Sequence, residues 1–492
     1  MRILRNNKPF VLLVLVMLVA AGGTLLISGG RYAEAPMQYA SGGLTPEQYA
    51  QRQDDMHRRL VGELPAAALD AAIRVPLSPV EIDAVEKAPR YVSPMKVGIV
   101  KPLTPGIDLS GLTRSGSGRG PSRGEEAAAN ATRDGGFVWA RVISSENAGG
   151  IRLHVENFSL PRNAELYFYS RSGQAFGPYT ESGPHGNGDF WTTAVFASEG
   201  ILQVRVHAPV SDEDLRGISL RVTEAGMITS RFVRDVQISL EAPPPPGWPC
   251  GNPNCLVDAT CSTTAAPAVP AKLAEAKMEW IQGAFIYTCT GGLISDNNPN
   301  ATNYFLTANH CLSKNNTAAN VSFYWRFATS SCPASSCPSN GGWPYVTSGS
   351  TVAASGRKGD FTLLHLNANP PSGSVFLGWT NAPVANTNGA HLYRISNPNF
   401  GPQVYSQHDV STTAGTCSGW PRGERIYSKD IVGAIDGGSS GSSVLNASSQ
   451  IVGQLSGICG TNINNPCDAA SNATVDGAFA FYYATVQPIL NP

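Results

Sequence analysis

The ten cysteines are the feature that most constrains the fold of this 492-residue chain, because all of them lie between Cys250 and Cys467. An even, clustered set of this kind is typical of a disulfide framework, which persists in an oxidising compartment. A zinc site is disfavoured, since the chain has no C-x-x-C pair and only His310 stands beside a cysteine. We therefore predict an exported protein whose second half is cross-linked by disulfide bonds, with no metal and no other cofactor.

The N-terminus supports export. Residues 1–35 combine a basic start, "MRILRNNK", with the apolar run "PFVLLVLVMLVAAGG" and the small-residue stretch "RYAEAP", as in a signal peptide. With "TLLIS" included, the run approaches the length of a membrane span, so a retained anchor is the alternative. The formal net charge of -1 gives no electrostatic reason to expect nucleic acid or an anionic membrane surface. We expect a secreted protein, periplasmic or extracellular, with no membrane contact beyond this segment.

Changes in pattern divide the remaining chain into four parts. Residues 36–135 hold two charged helical stretches, "LTPEQYAQRQDDMHRRLVGEL" and "SPVEIDAVEKAPRYV", followed by a Gly/Ser/Arg-rich flexible linker. Residues 136–242 alternate apolar and polar positions in several short runs, which predicts an antiparallel β-sandwich. A proline-rich spacer follows at residues 243–249. Residues 250–492 read as a large all-β domain, with "PAKLAEAKMEWIQ" as its one helix-like stretch.

The Gly/Ser cluster "IDGGSSGSSVLN" at residues 435–446 raises the question of a serine nucleophile. Such clusters are usually loops. A serine becomes a nucleophile only with a base to take its proton and a carboxylate to orient that base. His310 is the candidate base, because it follows the apolar run "YFLTA" directly in "YFLTANHC". Asp360 is the candidate carboxylate, since it stands just before the apolar run "FTLLHL".

The order of these residues selects the serine. Ser439 would satisfy the G-x-S-x-G motif of α/β-hydrolases, but that fold needs a histidine after the serine, and the last histidine is His408. Ser440 in G-x-S-G instead gives the order His310, Asp360, Ser440, which is that of the chymotrypsin class. We predict these three as catalytic residues, with the backbone amides of Gly438 and Ser440 as the oxyanion hole.

With these residues placed, the chain resembles bacterial lysyl endopeptidases, which are trypsin-like serine proteases. The resemblance covers most of the region from about residue 254 to 483 and rests on several motifs in the same order: "CLVDATC", "CTGGLI", "YFLTANHC", "DFTLLHL", "FLGW", "GGSSGS" and "VGQLSG". It implies an all-β fold with a two-barrel chymotrypsin-like protease domain, preceded by the β-sandwich as a pro- or accessory domain. It also implies a serine endopeptidase that acts on protein or peptide substrates.

The resemblance further implies disulfide pairs and substrate-binding residues. The expected pairs are Cys255 with Cys459, Cys261 with Cys332, and Cys289 with Cys311; for the other four cysteines we expect Cys417 with Cys467 and Cys250 with Cys337. Thr474, Ser456 and Gly457 fall in the expected substrate-binding cleft. Thr474 occupies the position where the family carries the aspartate that binds lysine, and Ala434 stands six residues before the serine. The sequence therefore leaves the preferred substrate residue open.

The sandwich itself resembles the pro-region of such exported proteases, through "SLPRNAELYFYSRSGQAFGPYT" and "WTTAVF". This implies a precursor whose own pro-region acts on the protease domain in cis; a permanent accessory domain is the alternative. Two other functions stay open at this stage. One is a catalytically silent binding protein on a protease scaffold, and the other, disfavoured by residue order, is an esterase of the α/β-hydrolase type.

Overall fold

The computed structural model describes residues 32–70, 72–89, 94–110, 129–233, 253–262, 267–332 and 345–491. From Ala33 onward the chain forms one compact unit. The predicted signal peptide, the Gly/Ser/Arg-rich linker and the proline-rich spacer lie largely or wholly outside the described residues. Within the described residues, no helix combines the length and apolar character needed to cross a membrane.

The described residues 32–233, hereafter the N-terminal region, contain four helices and twelve strands. The helices are α1 (Pro46–Glu63), α2 (Ala66–Asp70), α3 (Pro79–Glu86) and α4 (Asp212–Gly217). The strands are β1 (Glu34–Ala35), β2 (Gln38–Tyr39), β3 (Ile73–Arg74), β4 (Met95–Ser110), β5 (Ala129–Ala131), β6 (Phe137–Ser144), β7 (Ala148–Ser159), β8 (Ala164–Tyr169), β9 (Ala175–Tyr179), β10 (Phe190–Trp191), β11 (Glu199–Val206) and β12 (Ser219–Thr229). A 3₁₀ turn, Ser230–Phe232, follows β12.

The two predicted charged helices are α1 and α3, and each begins with the same local signal. Thr45 and Ser78 form capping boxes with Gln48 and Glu81, and a proline occupies the first turn of each helix. These side chains satisfy backbone N–H groups that a helix start leaves without partners. The sequence therefore sets both helix starts locally.

The predicted β-sandwich is present. One sheet has the order β3-β6-β11-β8-β9, with β5 on the edge of β6, and the other runs β10-β7-β12-β4. Apolar side chains from both sheets fill a shared core that includes Trp139, Leu153, Phe168, Val204 and Val222. The alternating pattern of the sequence thus corresponds to one buried face per sheet.

Strand β4 was not predicted, and it joins the sandwich to the rest of the chain. One edge of β4 pairs with β12 from Ser110 back to Gly98. Its first residues also pair with the strand Phe285–Leu293 of the C-terminal part, where Ile99 lies opposite Phe285. A single sheet therefore runs from the sandwich into the C-terminal domain.

The described residues 253–491, hereafter the C-terminal domain, contain three helices and sixteen strands. The helices are α5 (Val269–Ala274), α6 (Asn315–Ala318) and α7 (Phe479–Leu490), with 3₁₀ turns at Ala259–Cys261 and Pro398–Phe400. The strands are β13 (Val257–Asp258), β14 (Glu275–Gln282), β15 (Phe285–Leu293), β16 (Tyr304–Ala308), β17 (Ser322–Trp325), β18 (Tyr345–Ser348), β19 (Ser350–Gly356), β20 (Phe361–Leu366), β21 (Val375–Phe376), β22 (Trp379–Thr380), β23 (His391–Ser396), β24 (Val404–Val410), β25 (Arg425–Val432), β26 (Ser443–Leu445), β27 (Ile451–Gly460) and β28 (Asn472–Ala478).

These strands form two curved sheets. The first runs β18-β17-β14-β15-β16-β20-β19 and is an open half-barrel. The second closes on itself, since β23, β24, β25, β28, β27 and β26 pair in turn and β26 returns to β23. The all-β, two-barrel fold with a preceding β-sandwich is therefore confirmed, with the first barrel incomplete.

The helix predicted for "PAKLAEAKMEWIQ" is only half present. Helix α5 ends at Ala274, and the following residues form β14 in the first barrel. Strand β14 carries three charged residues, Glu275, Lys277 and Glu279. All three side chains are buried in the structure.

The N-terminal region also pairs with strands of the C-terminal domain through its first described residues. β1 pairs with β22, and β2 pairs with β21, so the first described residues lie along the C-terminal domain rather than along the sandwich. Residues 36–135 therefore contain more than the helices and linker that the sequence predicts. They contribute strands to both parts of the fold.

The disulfide pairing differs in part from the expectation. Cys261–Cys332 and Cys289–Cys311 pair as expected. Cys255 pairs with Cys467 instead of Cys459, and Cys417 pairs with Cys459 instead of Cys467. Cys459 on β27 belongs to a small apolar cluster against which Cys417 and Trp420 pack. Cys250 and Cys337 lie outside the described residues.

Candidate active site

His310 lies two residues beyond the end of β16. The disulfide between Cys311 and Cys289 ties this turn to β15. Both sulfurs lie close to the imidazole, but they are bonded to each other and so are not available as metal ligands. The turn is therefore fixed by β16 before His310 and by the disulfide of Cys311 after it.

Asp360 meets His310 because β16 and β20 are antiparallel neighbours. Ala308 at the end of β16 lies opposite Phe361 at the start of β20, which places the residues just beyond these ends side by side. His310 Nδ1 lies 2.8 Å from Asp360 Oδ2, and the His310 backbone N–H donates to Oδ1 at 2.9 Å. Because a carboxylate only accepts, Nδ1 carries the proton of this bond. The carboxylate holds both the ring and the backbone of His310.

The surroundings of Asp360 keep it ionised. Burial opposes the charge, but the charge that His310 carries when protonated and the hydrogen bonds that His310 donates outweigh it, so the pKa of Asp360 lies below its usual value. Gln454 Nε2 donates to the Asp360 carbonyl oxygen at 2.9 Å and anchors the turn. A charged carboxylate in this position stabilises a protonated imidazole.

Ser440 lies in the turn between β25 and β26, and it packs against the His310 turn. The Thr290 N–H donates to the Ser440 carbonyl oxygen at 2.8 Å, and that oxygen lies 3.7 Å from the sulfur of Cys311. Gly441 has a φ of +84°, and a Cβ there would collide with Thr307 and with the carbonyl of Thr290. Glycine is therefore required for the serine turn to approach β15 and β16 so closely.

The second ring nitrogen of His310 is poised to act as a base. Nε2 is buried and has no hydrogen-bond partner among the residues that the structure describes. Because Nδ1 holds the proton shared with Asp360, Nε2 carries the lone pair. Ser440 is itself only 6% exposed, in the neighbouring turn. This arrangement can take a proton from a group placed between the two turns.

The peptide before Gly438 has a defined orientation. The Asn399 N–H donates to the Gly437 carbonyl oxygen at 2.6 Å. In a trans peptide the next N–H, that of Gly438, points the opposite way. The Thr290 hydroxyl also donates to the Gly438 carbonyl oxygen at 2.9 Å. The two amides predicted as oxyanion donors thus belong to a turn that is held from two sides.

A cavity of about 290 Å³ opens beside Ser440. Its walls come from the serine turn, from β27 and the loop after it, and from the N-terminal region. The lining residues are Glu86, Lys87, Ala88, Pro89, Ile435, Asp436, Gly437, Ser440, Leu455, Gly457, Ile458, Ile463 and Asn464. The connection that follows α3 therefore lies at the mouth of the candidate site.

The three residues expected to bind substrate lie in different places. Gly457 lines the cavity. Ser456 is buried on β27. Thr474 is buried on β28, where its hydroxyl donates to Asp430 Oδ1 at 2.6 Å.

Several residues that support the site escaped the sequence reading. Thr290, Asn399 and Gln454 act through bonds to distant backbone atoms, for which the sequence offers no local signal. Arg394 is fully buried, donates to the Ser442 carbonyl oxygen at 2.8 Å and pairs with Asp476. A lone arginine in the strand-like run "HLYRIS" was the available signal for this residue, because an unpaired buried charge is costly.

Comparison with solved structures finds proteases that are only distantly similar to this chain. The active form of the Rv3671c protease from M. tuberculosis is 15% identical with a TM-score of 0.31, over 49% of this chain and 92% of that one. The HtrA-type protease AlgW, solved with a tripeptide, is 17% identical with a TM-score of 0.31, over 46% of this chain and 64% of that one.

Sequence comparison is more informative. Residues 252–471 match the family described as "Lysyl endopeptidase, C-terminal domain". The lysyl endopeptidase of Pseudomonas aeruginosa is 28% identical over 386 residues, which cover 76% of this chain and 76% of that protein. The covered length exceeds the C-terminal domain alone. The resemblance inferred from the motifs is thus confirmed: the chain is similar to a lysyl endopeptidase over 76% of its length.

Proposed function

We propose that this protein is an exported serine endopeptidase, made as a precursor, that hydrolyses peptide bonds through His310, Asp360 and Ser440. The observation that carries the proposal is the His310 ring itself. Asp360 bonds to the ring at Nδ1 and to the His310 backbone N–H, while Nε2 stays without a hydrogen-bond partner among the described residues. The glycine-dependent serine turn packs against the same strands. Four disulfides among the described residues support export to an oxidising compartment.

The mechanism follows from these positions. The Ser440 hydroxyl oxygen bonds to the scissile carbonyl carbon as its proton passes to His310 Nε2, and the charge on the carbonyl oxygen is stabilised by the Gly438 and Ser440 amides. The imidazolium, stabilised by Asp360, gives that proton to the leaving amine and an acyl-enzyme remains. Water then attacks the ester, His310 again accepts and returns a proton, and the new carboxyl terminus leaves.

We assign the N-terminal region to the precursor, as a segment that acts on the protease in cis. Residues 86–89 line the cavity beside Ser440, and β1, β2 and β4 each pair with a strand of the C-terminal domain. These contacts restrict access of a polypeptide substrate. Full activity is therefore expected only after the N-terminal region has been cut and has left.

Labelling with a fluorophosphonate probe tests the proposal. The matured chain should react, and Ser440→Ala should abolish the reaction, whereas Ser448→Ala should not, because Ser448 is exposed on the loop after β26. Mass spectrometry should place the probe on Ser440. The uncut precursor should label more slowly than the matured chain.

Two results would contradict the assignment. Labelling that persists in Ser440→Ala would move the nucleophile elsewhere. A matured chain that does not label at all would favour the silent binding protein. Equal labelling of precursor and matured chain would reject the blocking role of the N-terminal region alone.

A further inference from the structure

We propose that Lys277 is a positioning residue for the oxyanion hole and acts through residues 397–401, hereafter the support turn. The proposal rests on the proposed function, since it concerns the predicted oxyanion donor Gly438. Lys277 lies on β14, and its side chain is buried. The link from its amino group to the Gly438 peptide runs through two residues of the support turn, Phe400 and Asn399.

The Lys277 amino group bonds to the support turn at Phe400. Nζ donates to the Phe400 carbonyl oxygen at 3.1 Å. The rings of Phe400, Phe327 and Tyr324 surround Nζ, with their centres 3.6, 4.0 and 4.8 Å away. Lys277 is only 1% exposed, so this hydrogen bond is shielded from solvent and is stronger than the same bond at the surface. The amino group is therefore held firmly against the turn.

The backbone of the support turn adopts a conformation that depends on such contacts. Asn399 has a φ of +54° and Phe400 a φ of +62°, so both lie in the left-handed region. This region is unfavourable for residues other than glycine, above all for a bulky side chain. Phe400 is also buried, at 2% exposure. The packing of its ring and the bond from Lys277 to its carbonyl therefore stabilise a backbone that would otherwise favour another shape.

Asn399 connects the support turn to the serine turn. Its N–H donates to the Gly437 carbonyl oxygen at 2.6 Å, and its Nδ2 donates to Asp436 Oδ2 at 2.9 Å. A Cβ on Gly438 would lie 3.1 Å from the Asn399 nitrogen, so the two turns are in contact. The Gly437 carbonyl and the Gly438 N–H belong to one planar peptide. A change in the support turn would therefore rotate or shift the N–H that is predicted to meet the oxyanion.

One further ring near Lys277 comes from the N-terminal region. The centre of the Phe196 ring lies 5.5 Å from Nζ and 5.7 Å from the centre of the Phe400 ring. Phe196 would leave with the N-terminal region, whereas Lys277 and Phe400 both belong to the C-terminal domain. The bond between them therefore lies within the matured chain, and the test uses that form.

The test compares two lysines that each bond to a backbone carbonyl. Lys277→Met removes the donor and keeps a long, flexible side chain in the same space. Lys272→Met is the matched control, because Lys272 Nζ donates to the Ser262 carbonyl oxygen at 2.8 Å, in the segment before α5 and not in the support turn. Thermal unfolding of both variants measures how much stability each bond contributes.

The preparation has to yield matured chain even from slow variants. Each precursor therefore carries a C-terminal affinity tag, is cut in trans by untagged wild-type enzyme and is purified again. A tagged Ser440→Ala sample prepared in the same way measures the wild-type activity that is carried over. Kinetics use a peptide that the wild-type matured chain cleaves, together with the aldehyde and the alcohol of the same sequence.

The two peptide analogues separate loss of the oxyanion donor from general damage. The aldehyde carbon bonds to the Ser440 oxygen, whose proton passes to His310, and the aldehyde oxygen becomes an oxyanion in the hole. The alcohol binds in the same cleft but cannot form this bond. For Lys277→Met we expect kcat and the affinity for the aldehyde to fall by about 10–100-fold, while KM and the affinity for the alcohol change by less than about twofold. Lys272→Met should change none of these values by more than about twofold.

The outcomes are distinct. Wild-type kcat and aldehyde affinity in a folded Lys277→Met chain would overturn the inference, and so would equal losses of aldehyde and alcohol affinity. If Lys277→Met does not fold, Asn399→Gly takes its place, because glycine keeps the left-handed backbone and loses the bond to Asp436. Its aldehyde affinity should fall more than its alcohol affinity, and no difference would reject the role of the support turn. A wild-type matured chain that does not react with the fluorophosphonate would remove the proposed function itself.

Discussion

Thr290 shows how one hydroxyl can position the serine turn. Its oxygen accepts the Asn397 N–H at 3.0 Å and its proton goes to the Gly438 carbonyl oxygen at 2.9 Å. The same residue donates its own N–H to the Ser440 carbonyl. The predicted nucleophile and one predicted oxyanion donor thus depend on a side chain that lies far from both in the sequence.

We expect Thr290→Val to lower kcat by roughly 10–100-fold, because the turn loses its side-chain anchor and small displacements of reacting groups are costly. Thr288→Val is the matched control. Its hydroxyl bonds to the Met278 carbonyl within the β14–β15 ladder at 2.8 Å, so it should lower stability to a similar degree with little change in kcat. Steady-state kinetics together with thermal unfolding separates the two effects. Equal kcat values in both variants would refute the positioning role.

At this scale the sequence predicted the residues with a local signature and missed those without one. His310, Asp360 and Ser440 each stand at the edge of a recognisable apolar run or glycine cluster. Thr290 and Asn399 act on backbone atoms that only the folded chain brings near. The consequence of the Thr474 position was likewise hidden, since Asp430 lies on a neighbouring strand and its bond to Thr474 depends on register.

Strand β14 is the element whose sequence was most misleading. Lys277 Nζ lies 3.6 Å from the centre of the Phe400 ring and donates to the Phe400 carbonyl oxygen at 3.1 Å. Burial lowers the pKa of Lys277 well below its usual value. Glu279 bonds to Arg152 and to the Tyr324 hydroxyl. Charges that a helix would expose are here buried, because tertiary partners are available.

Glu275, the first residue of β14, should make stability depend on pH. Burial raises its pKa to about 8, despite a bond from the Ser443 N–H at 3.1 Å. The unfolded chain releases this proton near pH 4.5. The stability that Glu275 contributes is therefore complete below that pH and is lost as pH rises toward 8.

Glu275→Gln should flatten this dependence, since glutamine keeps an acceptor for Ser443 but cannot ionise. In the Ser440→Ala background, which on the proposed mechanism prevents self-digestion, the loss of unfolding free energy between pH 5 and pH 8 should shrink by on the order of 2–4 kcal/mol. Denaturant unfolding across this range provides the measurement. Glu213→Gln, at an exposed residue of α4, should leave the dependence as in the parent. An unaltered slope in Glu275→Gln would show that Glu275 does not titrate there.

At the scale of the whole molecule, an ion pair buried between the N-terminal region and the C-terminal domain links the two. Arg152 on β7 donates to Glu279 on β14 at 2.8 Å, and both side chains are at most 1% exposed. Arg152 also donates to the Asn320 carbonyl oxygen at 3.0 Å. Removing one member leaves a buried charge without its partner.

Arg152→Ala should therefore destabilise the Ser440→Ala precursor by about 3–5 kcal/mol. Arg58→Ala provides the matched control, because Arg58 and its partner Asp55 are 70% and 58% exposed, and it should cost less than about 1 kcal/mol. Calorimetry of both precursors decides the comparison. A small effect for Arg152→Ala, comparable to the control, would mean that the N-terminal region is held by other contacts.

The large-scale organisation could be predicted only in outline. Period-two alternation was enough to predict the sandwich. The residues of β4, "MKVGIVKPLTPGIDLS", were missed because their pairing on two edges comes from strands more than a hundred residues away in the chain. The exchange of partners between Cys459 and Cys467 has the same origin, since it depends on which loop covers β27.

The shared sheet has a consequence for how activity would first appear. Cleavage of the backbone between the N-terminal region and the C-terminal domain would leave the two associated, because β4 stays paired with β12 on one edge and with β15 on the other. The cleaved N-terminal region would have to lose its strand pairing and dissociate, or be degraded while still bound. Proteolytic activity would then appear after a lag whose length is set by the rate of this dissociation and not by the rate of the first cleavage.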